Sequence, residues 1–186
     1  MNLDNLTIVC IIVVDMNIEY RIATYNDIDT LLCFYNDVID FQQYEKYSPK
    51  WTKNVYPCFE DIENHIINNK IYMGYLNNEL VCVGALQLKD DPIYEGINFI
   101  EKDSVGVIHL LAVNKNYRGL GVSKEFVKHL LIQAKPYVKA IHLDVLDGNT
   151  RACKLYEACG FKYVDTKDVF YEDTGKVSSI LYEYIY

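Results

Sequence analysis

Val113-Asn114-Lys115-Asn116-Tyr117-Arg118-Gly119-Leu120-Gly121-Val122-Ser123 joins two segments of different periodicity. Before it, Val105 to Val113 is an almost unbroken apolar run, the pattern of a strand covered on both faces. After it, apolar residues recur at helical spacing to about Lys135, and Pro136 ends the pattern. Gly119 and Gly121 let the backbone turn so that successive N–H groups point outward, and the helix N-terminus adds partial positive charge. Such a turn can hold a diphosphate through backbone donors, with Arg118 and Lys124 adding charge. For two glycines alone, an ordinary strand-to-helix connection is the favoured reading. A dinucleotide fingerprint requires a third glycine in the first βα turn, and a Walker A loop requires Gly-Lys-Ser/Thr; the chain has neither here.

The segment that follows narrows the choice. Leu143-Asp144-Val145-Leu146 leads into a helix over 149–159, with Asn149 placed to cap it and Gly160 to end it. Tyr156 lies seven residues after Asn149, two turns on and close to the same face. Ala152, Leu155 and Cys159 fall where they can pack into a core. Upstream, a strand over 17–23 meets Thr24, which starts a helix with Asp27 completing a capping-box pattern. That helix carries Ile28, Leu31, Leu32, Tyr35, Val38 and Ile39 on one face. Pro57 opens a second helix to about Asn68. Strands at 71–76 and 79–88 are joined by Asn77-Asn78, a hairpin turn. A mixed-charge loop covers 89–103. Strands at 139–146, 161–170 and 176–185 follow, the last two joined by Asp173-Thr174-Gly175. The order describes a mixed α/β sheet in one domain.

Composition bounds the function. The 186 residues are 51% apolar, which excludes intrinsic disorder. A formal charge of −8 argues against nucleic acid or an anionic membrane as partner and is compatible with a cationic substrate. Six cysteines without a CxxC pair read as reduced and buried, in a cytoplasmic protein, and neither they nor the four histidines cluster as metal ligands. The longest apolar run, Leu6 to Val14, is too short to span a bilayer and lacks the basic start of a signal peptide. Residues 1–16 read as an accessory N-terminal arm or an extra strand, since Met16 opens a stretch that looks like a natural start.

Arg118-Gly119-Leu120-Gly121-Val122-Ser123 and the run Asn149-x-x-Ala152-x-x-Leu155-Tyr156-x-x-x-Gly160-Phe161 together resemble the two cofactor motifs of the GNAT superfamily of N-acetyltransferases. Tyr20 to Asp27 and the hairpin with Val83-Gly84-Ala85 also fit, so the similarity covers 17–186. It implies a single-domain α/β GNAT fold, a mixed and mostly antiparallel sheet flanked by about four helices. It also implies acetyl-CoA as cosubstrate. Backbone groups of Leu111, Ala112 and Val113 would meet the pantetheine and thioester carbonyl, and the loop from Arg118 through Lys124 would hold the diphosphate. Ser123 stands where glycine or alanine is usual, a small side chain at the edge of that cradle. Tyr156 occupies the general-acid position, where a phenol protonates the departing thiolate. Asn149 is a cap first and a cofactor contact second.

The base is more open. His109 shares strand parity with Leu111 and Val113, and some amine acetyltransferases carry histidine there; a core histidine satisfied by a neighbour fits equally. Val107 stands where other members have a catalytic glutamate. Glu95 and Asp103 are alternatives that read better as solvated charges, and His142 and Asp144 read as a structural pair on one strand face. A ping-pong route would use Cys153, but direct transfer in a ternary complex is preferred. Tyr47, Trp51 and Tyr56, with Tyr44 nearby, lie in the region that walls the acceptor site of the family, though each could simply pack the loop. The expected activity is transfer of acetyl to a primary amine of a small molecule. Protein or peptide N-terminal acetylation and a non-catalytic acyl-CoA sensor are the rivals, and two copies pairing through the arm or last strands is left open.

Overall fold

Asp27 reaches back to the backbone N–H of Thr24 at 2.8 Å, so the chain leaves β1 (Glu19–Ile22) through one 3-10 turn and enters α1 (Ile28–Gln42). The computed structural model describes residues 17–42, 44–46, 48–171 and 175–186; the expected N-terminal arm and the position of Tyr47 lie outside them. The buried stripe of α1 is Ile28, Leu31, Phe34, Tyr35 and Val38. Phe34 takes the place expected for Leu32 and Ile39, which stay half-buried. α2 (Phe59–Asn68) is capped at Cys58, whose N–H donates to Asp61 Oδ2 at 2.8 Å. Pro57 therefore precedes the cap instead of opening the first turn.

β2 (Lys70–Leu76) and β3 (Glu79–Gln87) form a hairpin whose two turn residues, Asn77 and Asn78, have φ of 51° and 64°. Asparagine tolerates this left-handed conformation. β4 (Val105–Val113), α3 (Val122–Ala134), β5 (Ala140–Leu146), α4 (Thr150–Ala158), β6 (Lys162–Tyr171) and β7 (Gly175–Ile185) complete the chain. The seven strands lie in the order β1-β2-β3-β4-β5-β7-β6. All neighbours are antiparallel except β4 and β5.

Two irregularities in β4 shape the molecule. It pairs with β5 only from Val105↔Ala140 to Val107↔His142, after which the two strands no longer pair with each other and a wedge opens between them. Gly106 sits at the joined end, where a Cβ would come within 2.8 Å of the Gln87 carbonyl and 3.0 Å of Ile141. β4 also bulges against β3: Val83↔Ala112 is followed by Ala85↔His109, so that Leu110 and Leu111 face Gly84 alone. Leu110 takes the strain there, with φ of 54°. The buried Tyr35 hydroxyl donates to its carbonyl at 2.8 Å.

Phe126, Leu130 and Ile141 centre the core under α3. Leu31, Tyr35, Ile62 and Met73 fill the core under α1 and α2. Tyr94, Ile97 and Phe99 of the 88–104 connection pack on Val107, Val169 and Leu181. Each such buried side chain contributes about 1.5–3 kcal/mol, against about 1–2 kcal/mol for one left-handed leucine. The core therefore holds the bulge easily. Of the five described cysteines, all free, only Cys82 is buried, its thiol pushed up to about 12 by desolvation. Cys33 is exposed, because it falls on the outer side of α1.

Candidate active site

The glycine turn has the geometry its sequence demands. Gly119 and Gly121 have φ of 80° and 90°, and Gly121 is the N-cap of α3. Lys124 and Glu125 donate to the Gly121 carbonyl, leaving the Val122 and Ser123 N–H groups at the open end of the helix. A groove of about 560 Å³ runs past Leu111, Ala112 and Val113 of β4, then Arg118, Gly119, Gly121 and Ser123. A Cβ on Gly119 would touch nothing within 4 Å, so the turn is open to a ligand. The Val122 side chain belongs to the core, whereas Leu120 is exposed. Lys124 is also exposed and lies off the groove, and its charge favours the Cys159 thiolate against burial.

Arg118 is already engaged. It ion-pairs with Glu45, which also receives Arg151 at 3.2 Å, and its guanidinium lies 5.1 Å from the Phe41 ring centroid. Glu45 thus links the segment after α1 to both arginines of the groove. Sequence reading passes over it because nothing in Tyr44-Glu45-Lys46 marks which charge turns inward.

The wedge opens into a second cavity, of about 500 Å³. His109, Leu110 and Leu111 line it from β4, Asp144 to Leu146 from β5, and Asn149, Ala152 and Tyr156 from α4. Trp51 and Tyr56 close one wall, their rings 6.2 Å apart, and Gln42 anchors the Trp51 carbonyl. Tyr44 is exposed and takes no part. Asn149 uses Oδ1 to cap α4 through the Ala152 N–H at 3.2 Å, while lining both groove and cavity.

Tyr156 faces the cavity, and its hydroxyl makes no hydrogen bond among the described residues. Burial first, and then the Asp144 charge, push its pKa up and keep the phenol protonated. His109 is pushed down by desolvation, with Asp91 pulling the other way from 3.4 Å. The His65 ring lies 5.5 Å from that of His109 and is itself held at about 4 by burial and by its neighbour. Both imidazoles are therefore neutral at pH 7. The acid that reaches His109 is Asp91; Glu95 and Asp103 remain exposed.

The expected His142–Asp144 pair does not form. His142 stacks on Phe99 at 3.6 Å and hydrogen-bonds to the buried Glu183 at 3.2 Å. Asp144 instead accepts from the Tyr94 hydroxyl at 2.8 Å and from the Tyr171 hydroxyl. Burial raises its pKa despite these two donors. Among the described residues, no group of three or more His, Cys, Asp or Glu side chains is placed to hold a metal, and no helix is long and apolar enough to cross a membrane.

A parallel strand pair splayed beside a glycine turn that opens a helix, with a bulged strand between groove and cavity, defines a fold of the acyl-CoA-dependent transferase class. The acetyltransferase (GNAT) family model matches residues 38–161, and the chain belongs to that family, whose acyl donor is acetyl-CoA. Similar solved structures include a GNAT acetyltransferase from Streptococcus agalactiae, 18% identical over 91% of this chain and 95% of that one, with a TM-score of 0.74. A ribosomal-protein-alanine N-acetyltransferase from Brucella melitensis is 17% identical over 90% and 99%, with a TM-score of 0.65. An acetyltransferase from Bacillus subtilis in complex with CoA is 16% identical over 91% and 97%, with a TM-score of 0.58. No curated protein sequence matches significantly.

Proposed function

We propose that this protein transfers acetyl from acetyl-CoA to a primary amine of a small molecule, directly and within a ternary complex. The observation that carries the reading is the wedge cavity, lined by an unbonded, protonated Tyr156 from α4 and a neutral His109 from β4. The groove residues suit acetyl-CoA: open backbone at Gly119, free helix-start N–H groups at Val122 and Ser123, and two arginines. When bound there, acetyl-CoA supplies an activated acyl group and a thiol leaving group. His109 accepts the proton of the incoming ammonium, directly or through water. Tyr156 donates its phenolic proton on the leaving-group side. A backbone N–H beside the Leu110 bulge supplies fixed electrostatic stabilisation. Trp51 and Tyr56 wall the acceptor. The aromatic wall of Trp51 and Tyr56 favours a small molecule over a peptide that needs an open groove, and the chain is read as cytoplasmic, without nucleic-acid or membrane partners.

The test is calorimetric binding of acetyl-CoA, followed by thiol release with a panel of amines. Amine-dependent release is expected, with Tyr156→Phe lowering kcat by about 10²–10⁴-fold and leaving acetyl-CoA affinity intact. His109→Ala should remove the acidic limb of the pH–rate profile. Equal loss of turnover and affinity in Tyr156→Phe would reduce that residue to a binding role, and binding without release from any amine would leave a sensor.

A further inference from the structure

Asp144 is an acid without a base. Its two oxygens each accept one tyrosine hydroxyl, from Tyr94 and Tyr171, and no ion pair neutralises it among the described residues. Other inward-turned acids are answered: the buried Glu183 receives His142 and the Ile100 and Glu101 N–H groups, and the half-buried Glu45 receives two arginines. A desolvated carboxylate is expensive to keep unless something cationic arrives. Asp144 also lines the wedge cavity, so a cation can reach it from there.

Position says which part of a ligand it would meet. Val107 and His142 are the last paired residues of β4 and β5. His109 and Asp144 each lie two residues further, on the same face and on opposite sides of the opening. Strands are about 4.8 Å apart where they pair, and they diverge beyond that point. A group at Asp144 is thus displaced across the wedge from an amine at His109. The aromatic rings of Trp51, Tyr56 and Tyr171 border the same cavity, surfaces that accept a cation on their faces. Lys50 lines the rim but is exposed and makes no ion pair with Asp144.

We propose that Asp144, held in place by Tyr94 and Tyr171, binds a second cationic group of the acceptor, so that the substrate is a small diamine or an amine bearing another fixed positive charge. This rests on the acetyl-transfer reading for the identity of the first amine, but it makes a separate claim about binding. The acceptor's reacting amine goes to His109 and its second ammonium to Asp144, with a short apolar chain crossing the wedge between them.

The experiment compares 1,4-diaminobutane with n-butylamine, first as ligands of the CoA-loaded protein by calorimetry and then as acceptors by thiol release. The wild type is expected to prefer the diamine, and Asp144→Asn to shrink the diamine-over-monoamine ratio by about 10–100-fold, the range for a lost charged hydrogen bond. The loss should appear in Kd and KM. Tyr171→Phe, which keeps the carboxylate but removes one donor, should shrink the ratio by a smaller factor and serves if Asp144→Asn does not fold. A wild-type ratio near one, or a ratio unchanged in either folded variant, overturns the proposal. An equal fall in kcat for both amines with the ratio kept would make Asp144 a proton acceptor and also overturn it. Selective diamine binding with no thiol release would support the cation site while sinking the transfer reading, so the two fail separately.

Discussion

Tyr35→Phe removes one oxygen from the middle of the core, and the effect can be worked from a single hydrogen bond. The Tyr35 hydroxyl is its donor and the Leu110 carbonyl its acceptor, at 2.8 Å and shielded from water. Burial keeps the phenol protonated far above its ordinary range, so the donor is present at every working pH. Leaving the carbonyl unpaired costs about 1–3 kcal/mol. Relaxation of the left-handed Leu110 backbone can return part of its strain of about 1–2 kcal/mol, so a net loss near 1–2 kcal/mol is expected. For a domain of this size that lowers Tm by roughly 2–8 °C. Thermal and urea unfolding measure it, and an unchanged urea m-value would show that the unfolded state is unaffected. Activity should fall as well, because the bulged residues Leu110 and Leu111 line the wedge cavity. A stability within about 0.5 kcal/mol of wild type, with activity retained, would refute the claim that Tyr35 holds the bulge.

Gly121→Val places a β-branched residue at φ of 90° in the N-cap of α3, and acetyl-CoA binding by calorimetry should be lost; retained affinity would move the diphosphate elsewhere. For His65, the folded pKa of about 4 lies below the unfolded value of about 6.5. The neutral form therefore contributes stability that is fully present above pH 6.5 and is lost as pH falls towards 4, by up to roughly 3 kcal/mol. Urea midpoints between pH 7 and 4 should fall less steeply in His65→Gln than in wild type, and parallel curves would show that His65 does not carry the acid sensitivity.

Most elements were legible because their signals are local. Asp27 three residues after Thr24 and Asn149 ahead of Ala152 each encode their own hydrogen bond, Asn77-Asn78 between apolar runs encodes a left-handed turn, and the structure places all three within a residue or two of the expected boundaries. The wedge was not legible from one strand. Its cause is that β4 and β5 stop pairing after Val107 and His142, a relation between residues 35 apart that leaves no periodic trace in either. The bulge is similar: Leu110 adopts a conformation that favours glycine, and nothing about a leucine between His109 and Leu111 announces it. The hydroxyl that braces that backbone, from Tyr35, comes from 75 residues away.

The candidate site divides along the same line. Residues whose backbone does the work, Gly119 and Gly121 above all, are legible because a left-handed φ narrows the choice of residue type. Residues whose side-chain charge does the work are not, because an acid in the sequence carries no mark of its partner. Parity correctly puts His142 and Asp144 on one face of β5, and from parity alone pairing them is the economical reading. What separates them is the 88–104 connection, which lays Phe99 over His142 and brings the Tyr94 hydroxyl to Asp144. The same connection carries Asp91 to His109. One loop thus sets the electrostatics of three strand residues. Its own acids with the more conspicuous positions, Glu95 and Asp103, stay in water, where they cost nothing to keep charged. The acids that matter are those whose desolvation must be answered by a hydroxyl, an imidazole or a ligand, and that condition exists only once the sheet and its loop have closed around them.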